Sequence, residues 1–539
     1  MTDMTDPHYL KFRRKMYDQL LAWKRRYDGS TAAMIEGARR VGKSTIAEEF
    51  GRNEYRSYVL IDFSEAGKGL LEMFDNFGER PDDLFMYIST QYSVKLYRRE
   101  SLIIFDEVQK FPRARELIKS LVKDGRYDYI ETGSLISIRE NVKDIVIPSE
   151  EKKMRMYPMD FEEFCWAFGE DDLVDLIRTS FSELRPLPKS LHLRAMLLFK
   201  QYMMIGGMPQ SVHAYLRNDR DFDAADDVKG DILELYRDDI MKIPASYASK
   251  VQSIFDQIPS FLSKHDKQVV LSDVTKGSTI DRYADTFFWL GNSMICNECS
   301  SVSDPDIGFS GTKDRRRVKC YMGDTGLLVT HTYRENGSVD PEVYRRIIDG
   351  EFNVNKGMLY ENAISQMLVA SGHRLFFYVL YDREAHRNEM EIDFLLSVGN
   401  AVDGRIVPVE VKSGPRYSTV SMDRFRKKFG DRIERCYVVH PAQLKVVDGV
   451  IKIPPYMAMC IRGPRDRLNI PDIPSAWYRR LRLLPDTSLT TSTDANLSMI
   501  PLAVGRDVPI DSTRPLDDVY GFLNRRSIVR DSLTLCLWR

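Results

Sequence analysis

The sequence predicts a protein of the α/β class built from several domains, and three observations carry this reading. Its 539 residues exceed what one hydrophobic core organises. From about residue 30 to 135, short β-rich runs alternate with amphipathic helical stretches, and a second such region runs from about 321 to 458. Hydrophobic content of 43% and charged content of 29% are those of an ordinary globular chain, so both regions have the apolar residues a core needs. No apolar run approaches the roughly 18 residues of a bilayer span, and the N-terminal MTDMTDPHYLKFRRKMYDQL has no signal-peptide core. The expected location is therefore the cytoplasm, with no membrane partner. Seven scattered cysteines fit a reducing compartment, and the one close pair, Cys296 and Cys299, lacks the second pair that a zinc site requires. A net charge of −1 gives the whole chain no electrostatic pull on nucleic acid, so any such contact must be local.

In the first α/β region TAAMIEG, SYVLIDF, SLIIFDE and YDYIETGS read as buried strands of a parallel sheet. The segment Gly37-Ala38-Arg39-Arg40-Val41-Gly42-Lys43-Ser44-Thr45 follows the first of them and opens a helix, satisfying GxxxxGK[ST]. Glycines permit a tight loop whose amides converge on phosphates, and the helix N-terminus adds positive potential. Lys43 would reach the β- and γ-phosphates of ATP, and the Ser44 hydroxyl would ligate Mg²⁺. Leu102 to Glu107, LIIFDE, is an apolar strand ending in two carboxylates, as in a Walker B motif. Asp106 would hold the Mg²⁺ shell and Glu107 would polarise the attacking water, because phosphoryl transfer needs positioning and charge neutralisation.

Residues 160 to 245 have helical period, broken by Pro186, Pro188 and Gly206-Gly207. From 250 to 320 the helix candidates SKVQSIFDQIPSFLSK and TIDRYADTFFWLGNSMI flank a VLSDVTK turn, and a hairpin ends in KDRRRVK. This is the pattern of a winged helix, with Arg315, Arg316, Arg317 and Lys319 as candidate phosphate contacts on DNA. Winged helices also serve as packing or partner modules, and a charge run also makes a solvated face. In the second α/β region Glu361 falls on a helix, Asp393 in EIDFLL, and Glu410-Val411-Lys412 closes the strand IVPV. Carboxylates at the ends of adjacent strands can share a divalent metal, and Lys412 lies on the same side as Glu410, where it can activate water. Another Glu-x-Lys triplet, Glu151-Lys152-Lys153, is expected in a loop. The last 79 residues, Ile461 to Arg539, contain twelve Arg and nine Asp but no Lys and no Glu, and read as a weakly ordered extension.

Taken in order, GARRVGKST, LIIFDEVQKFP, ETGSL, YPMDFEEF, YMMIGGMPQSV, ILELYRDDIMK, YMGDTGLL, GMLYENAISQML, EIDFLL and PVEVKSG resemble a widespread archaeal and bacterial ATPase family. Its members carry an AAA-type domain and a C-terminal region of unknown function similar to restriction-endonuclease folds. The resemblance covers about residues 15 to 458. It implies an AAA-type P-loop domain over 1–165, a helical lid or linker over 166–249, a winged-helix-like domain over 250–320, and a PD-(D/E)xK nuclease-like domain over 321–460. The divergent extension, 461–539, has no counterpart. In AAA-type ATPases the strand after Walker B carries a polar sensor, for which Thr132 and Ser134 are candidates and Gln109 a further one. The same residues would also make an ordinary polar turn. The sequence does not single out an arginine finger: Arg113, Arg115 and Arg155 are eligible, but surface arginine is common, and relatives often place active sites at subunit interfaces.

These readings imply ATP and Mg²⁺ as cofactors. Three functions follow from them: an ATP-driven switch or motor on nucleic acid or a partner protein, an ATP-regulated DNA nuclease, or a nucleotide-sensing scaffold with little turnover. The nuclease would hold a second divalent ion, Mg²⁺ or Mn²⁺, at the site of Glu361, Asp393, Glu410 and Lys412, the lysine lying beside the ion; the alternative is a nuclease-derived fold whose metal site is idle or serves only binding.

Overall fold

The computed structural model describes residues 11–78, 80–133, 149–264, 266–269, 283–305, 309–335, 337–351, 356–382, 384, 387–398, 405–414 and 416–463. Ser134, the VLSDVTK turn and the chain from 464 onward lie outside the described residues.

The N-terminal region folds as α1 (Lys15–Tyr27), β1 (Ala32–Gly37), α2 (Lys43–Glu54), β2 (Ser57–Asp62), α3 (Lys68–Phe77), α4 (Pro81–Gln91), β3 (Ser101–Asp106), α5 (Pro112–Asp124), β4 (Asp128–Gly133) and β5 (Glu151–Met156). Its five strands pair in parallel in the order β2-β3-β4-β1-β5. Every residue of β1, β3 and β4 is buried, as a strand covered by helices on both faces must be. The crossover helices are those the alternating pattern predicts.

Two expectations are corrected here. Glu151-Lys152-Lys153 is not a loop but the start of β5, whose inward Met154 and Met156 alternate with exposed charge because the strand lies at the sheet edge. Arg115 is not free to act as an arginine finger. It lies on the buried face of α5, where its Nε and Nη2 meet both carboxylate oxygens of Glu151 at 2.8 and 2.7 Å, both side chains being 1% exposed.

A run of helices follows: Phe161–Ala167, Asp171–Ser182, Lys189–Ile205, Pro209–Arg217, Phe222–Met241 and Ala245–Ser263. The breakers sit at the ends, with Pro188 preceding the third helix and Gly206 closing it at φ +81°. Helix Phe161–Ala167 starts with a capping box, Asp160 accepting the Glu163 amide at 3.0 Å. The expected boundary at 165 falls inside that helix.

Beyond helix Ala284–Asn292 come β6 (Cys296–Val302), β7 (Lys313–Met322), helix Thr325–Tyr333, the short pair β8 (Arg334–Glu335) and β9 (Ser338–Val339), and helices Pro341–Asp349 and Lys356–Ala370. The chain then forms β10 (Leu375–Asp382), β11 (Arg387–Val398), β12 (Arg405–Val411), helix Val420–Phe429, β13 (Cys436–Val439), β14 (Lys445–Val447) and β15 (Val450–Ile453). These strands make one eight-stranded sheet, β14-β15-β13-β12-β11-β10-β6-β7.

The hairpin expected to be a wing is therefore part of that sheet. β6 pairs in parallel with β10, Leu375 opposite Cys299, and the expected boundary at 320 cuts β7. Burial explains the difference: Cys296, Cys299, Val302, Val318, Cys320 and Met322 are all inside, so the hairpin needs cover on both faces, which a projecting wing lacks. Sequence alone does not reveal a pairing with a strand so much later in the chain.

One buried carboxylate joins the segments. Asp324 Oδ2 accepts the Gly207 amide at 2.5 Å and the Gln366 side-chain amide at 3.0 Å, while Oδ1 caps helix Thr325–Tyr333 through the Leu327 amide at 2.9 Å. The Gly207 carbonyl in turn accepts the Met159 amide at 2.6 Å. A side chain at 207 would strike the Met159 backbone, so only glycine allows this approach. A continuous apolar core runs past this junction, from Ile35 and Val41 through Phe199 and Tyr202 to Leu396 and Val409.

Two measurements probe these buried charges. Arg115→Ala strands Glu151 and should cost about 3–5 kcal/mol in urea denaturation. His373, buried with its Nε2 3.1 Å from the Ile461 carbonyl, is pushed down by burial to about 4. Its contribution to stability is complete above pH 6.5 and is lost as pH falls through the folded value. The wild-type chain should therefore lose about 3 kcal/mol more than His373→Gln between pH 7 and pH 4.

Candidate functional site

The P-loop joins β1 to α2. Gly42 takes φ +93° and Arg40 φ +66°, turning the chain so that α2 starts at Lys43 with its first amides facing the loop. Lys43 is buried and its Nζ donates to the carbonyls of Gly37 and Ala38 at 3.2 and 3.0 Å. Burial lowers its pKa, against the pull of Glu107 and Asp106. A buried ammonium resting on neutral carbonyls retains its attraction for an anion.

At the end of β3, three groups converge. Ser44 Oγ donates to Asp106 Oδ1 at 2.8 Å, and the Thr132 hydroxyl donates to the same oxygen. Burial raises the Asp106 pKa, while these two hydroxyl bonds oppose the rise. Thr132 also accepts the Glu107 amide at 3.3 Å. Glu107 adopts φ +54°, an uncommon conformation for a residue with a side chain, and its carboxylate accepts from Gln109 Nε2. Ser44 and Asp106 are the pair that would hold a divalent ion: a hydroxyl and a carboxylate at 2.8 Å, with the ammonium of Lys43 nearby, fit an ion that also takes phosphate oxygens.

Contacts that sequence reasoning missed hold the loop from two sides. Arg14 Nη1 donates to the Val41 carbonyl at 2.8 Å and Nη2 to Tyr157 O at 2.7 Å. On the opposite flank Arg39 Nη1 meets Asp239 Oδ1 at 3.0 Å, and Tyr236 donates to the Arg39 carbonyl at 3.3 Å. Both partners lie on helix Phe222–Met241, far along the chain. The string ILELYRDDIMK was the one available signal.

The second cluster lies on the eight-stranded sheet. Asp393 on β11 and Glu410 on β12 are brought side by side by antiparallel pairing, Phe394 opposite Val409, and Asp393 Oδ2 accepts the Val411 amide at 2.8 Å. Glu361 projects from helix Lys356–Ala370 and accepts from Tyr321 at 3.1 Å. Lys412 Nζ sits 2.6 Å from Glu410 Oε1, whose pKa burial pushes up to about 7. The structure adds Lys267, 2.7 Å from Glu361, and Lys319, 3.0 Å from Glu391 and 3.8 Å from Asp393. Lys319 was expected to be a DNA contact on a wing. It is instead 1% exposed, because its strand is covered on both faces. Arg317 is half-buried on the same strand, and the side chains of Arg315 and Arg316 fall outside the description. Among the described residues, no group of three or more His, Cys, Asp or Glu side chains is placed to hold a metal ion.

Residues 29–165 match the model of an AAA domain, and 196–337 and 356–456 match two models described only as domains of unknown function. The parallel sheet, the loop and this match define the N-terminal region as an AAA-type P-loop ATPase domain. No curated protein matches the chain. Solved structures similar to it include the Aeropyrum pernix Orc1 protein in complex with DNA, at 11% identity over 65% of this chain and 95% of that one, TM-score 0.26. Drosophila ORC bound to DNA follows, at 14% identity over 58% and 93%, TM-score 0.25. A STAND protein with a tetratricopeptide repeat sensor from Pyrococcus horikoshii has 11% identity over 67% and 49%, TM-score 0.22. Among the described residues, no helix is long and apolar enough to cross a membrane.

Thr132→Val removes one of the two hydroxyls that orient Asp106 and leaves the loop untouched. The Mg²⁺ concentration giving half-maximal ATP hydrolysis should rise on the order of tenfold, the usual cost of losing a partner of a metal-holding group.

Proposed function

We propose that this chain is an ATP-hydrolysing switch or motor that acts on nucleic acid or a partner protein. Lys43 and the amides opening α2 bind the phosphates, and Ser44 and Asp106 hold Mg²⁺, which supplies charge neutralisation for phosphoryl transfer. Glu107 orients the attacking water, with Gln109 and Thr132 setting its position through the hydrogen bonds described above. Gly37 to Thr45 form the phosphate cradle.

The observation that carries the word switch is the contact between Arg39 and Asp239. A triphosphate beside the loop competes with Asp239 for the Arg39 guanidinium, and the winner determines whether helix Phe222–Met241 stays docked. That helix continues to a fully buried network in which Lys229 Nζ meets Asp226 Oδ1 at 2.7 Å and Thr330 donates to Asp226 at 3.1 Å. Motion of the helix therefore reaches helix Thr325–Tyr333, and through Asp324 and Gln366 helix Lys356–Ala370. Sustained turnover separates this switch from a scaffold in which ATP binding alone sets the arrangement of the other domains.

For residues 321–460 we propose a nuclease-like fold. In its favour are the chain order of a helix bearing Glu361, the antiparallel strands β10, β11 and β12, a second helix, and β13 parallel to β12. Fold alone does not establish activity.

Phosphate release under saturating Mg²⁺-ATP tests the main reading. Glu107→Gln should slow it by on the order of 10²-fold or more, and Lys43→Ala should abolish it. Unchanged release in either variant sinks the proposal. A complementary measurement is hydrogen exchange of helix Phe222–Met241, which should quicken when ATP is added to wild type and be already fast in Asp239→Asn.

A further inference from the structure

We propose that the carboxylates gathered on the eight-stranded sheet are held by the ammonium groups of Lys267, Lys319 and Lys412 in place of a divalent cation, making this site a metal-independent charge clamp. The inference concerns the second sheet and stands apart from the ATPase reading.

The bonding pattern argues for it. Glu361 uses one oxygen for Lys267 at 2.7 Å and the other for the Tyr321 hydroxyl at 3.1 Å. Asp393 uses Oδ2 for the Val411 amide at 2.8 Å and has Lys319 Nζ 3.8 Å from Oδ1. Glu391 takes Lys319 at 3.0 Å and the Asn388 amide at 3.1 Å. Glu410 takes Lys412 at 2.6 Å, and its Oε2 is the one carboxylate oxygen of the four residues that is buried without a hydrogen-bond partner. Each of the four carboxylates is thus already engaged by an ammonium, an amide or a hydroxyl, and among the described residues no group of three or more His, Cys, Asp or Glu side chains is placed to hold a metal ion.

Displacing the lysines is not easy. Lys319 lies mid-strand in β7 and is 1% exposed, so removing its ammonium from the carboxylates would strand a charge in the interior. Lys267 is 14% exposed, and its segment is tied to β7 by the Val269 amide on the Val318 carbonyl at 2.9 Å. The lysines thus have a structural use. Lys267 follows helix Ala245–Ser263, so its pair with Glu361 fastens the middle of the chain to helix Lys356–Ala370.

Mn²⁺ alone is the probe, applied to the full chain carrying Asp106→Asn so that the P-loop site contributes no metal signal. Calorimetric titration without nucleotide should show no binding at millimolar Mn²⁺, and melting temperature should be the same with EDTA. Adding Lys267→Met, at the lysine paired with Glu361, frees that carboxylate beside Asp393 and should bring Mn²⁺ affinity up at least tenfold, with folding checked by circular dichroism. A folded Lys267→Met chain that still takes no Mn²⁺ would overturn the assignment. So would Mn²⁺ binding by the parent, or Mn²⁺-dependent plasmid cleavage, that disappears in Asp393→Asn.

Discussion

The carboxylate of Asp324 is the constraint on which the arrangement of this chain depends. It is buried, and it stays tolerable only because the Gly207 and Leu327 amides and the Gln366 side chain all donate to it. Those donors come from three separate stretches of sequence. Satisfying one buried charge therefore fixes the turn after helix Lys189–Ile205, the start of helix Thr325–Tyr333 and the roll of helix Lys356–Ala370 together. The Gly207 carbonyl extends the constraint to Met159 and so to the edge of the ATPase domain.

The two charged centres of the protein use lysine in opposite ways. Lys43 rests on backbone carbonyls, which leave its positive charge for an arriving phosphate. Lys267, Lys319 and Lys412 each rest on a carboxylate, and their charge is already neutralised. The first arrangement has capacity for an anionic ligand, whereas the second is close to electrostatic closure. The difference is one of neighbours, since the residue type is the same.

Between these centres the proposed route runs through two ion pairs of different exposure. Arg39 and Asp239 are partly exposed, so their pair is weak enough for a phosphate to break. Lys229 and Asp226 are fully buried, so theirs moves with the helix as a unit. A labile contact beside the P-loop and a buried one deeper in the chain is the order that the proposed relay needs.

What the sequence determined by itself was local. Gly37 to Ser44, the Asp106-Glu107 pair and the strands around them are readable because loop geometry, helix start and apolar strand all fall within a few residues of one another, whereas the next strand leaves Thr132 and Ser134 as alternatives beside an ordinary polar turn. Period-two alternation puts Glu410 and Lys412 on one side of their strand, and the grouping with Asp393 comes from chain order, strand context and the family resemblance. What only the tertiary structure decided is who meets whom across long separations. The partnership of Arg39 with Asp239, the arrival of Lys267 and Lys319 among the carboxylates, the burial of Arg115 against Glu151 and the joining of the β6-β7 hairpin to β10 all depend on sheet pairing and helix docking. Such contacts arise because a buried charge or strand edge must find a partner, and the chain's own pattern does not say which distant one is nearest once it folds.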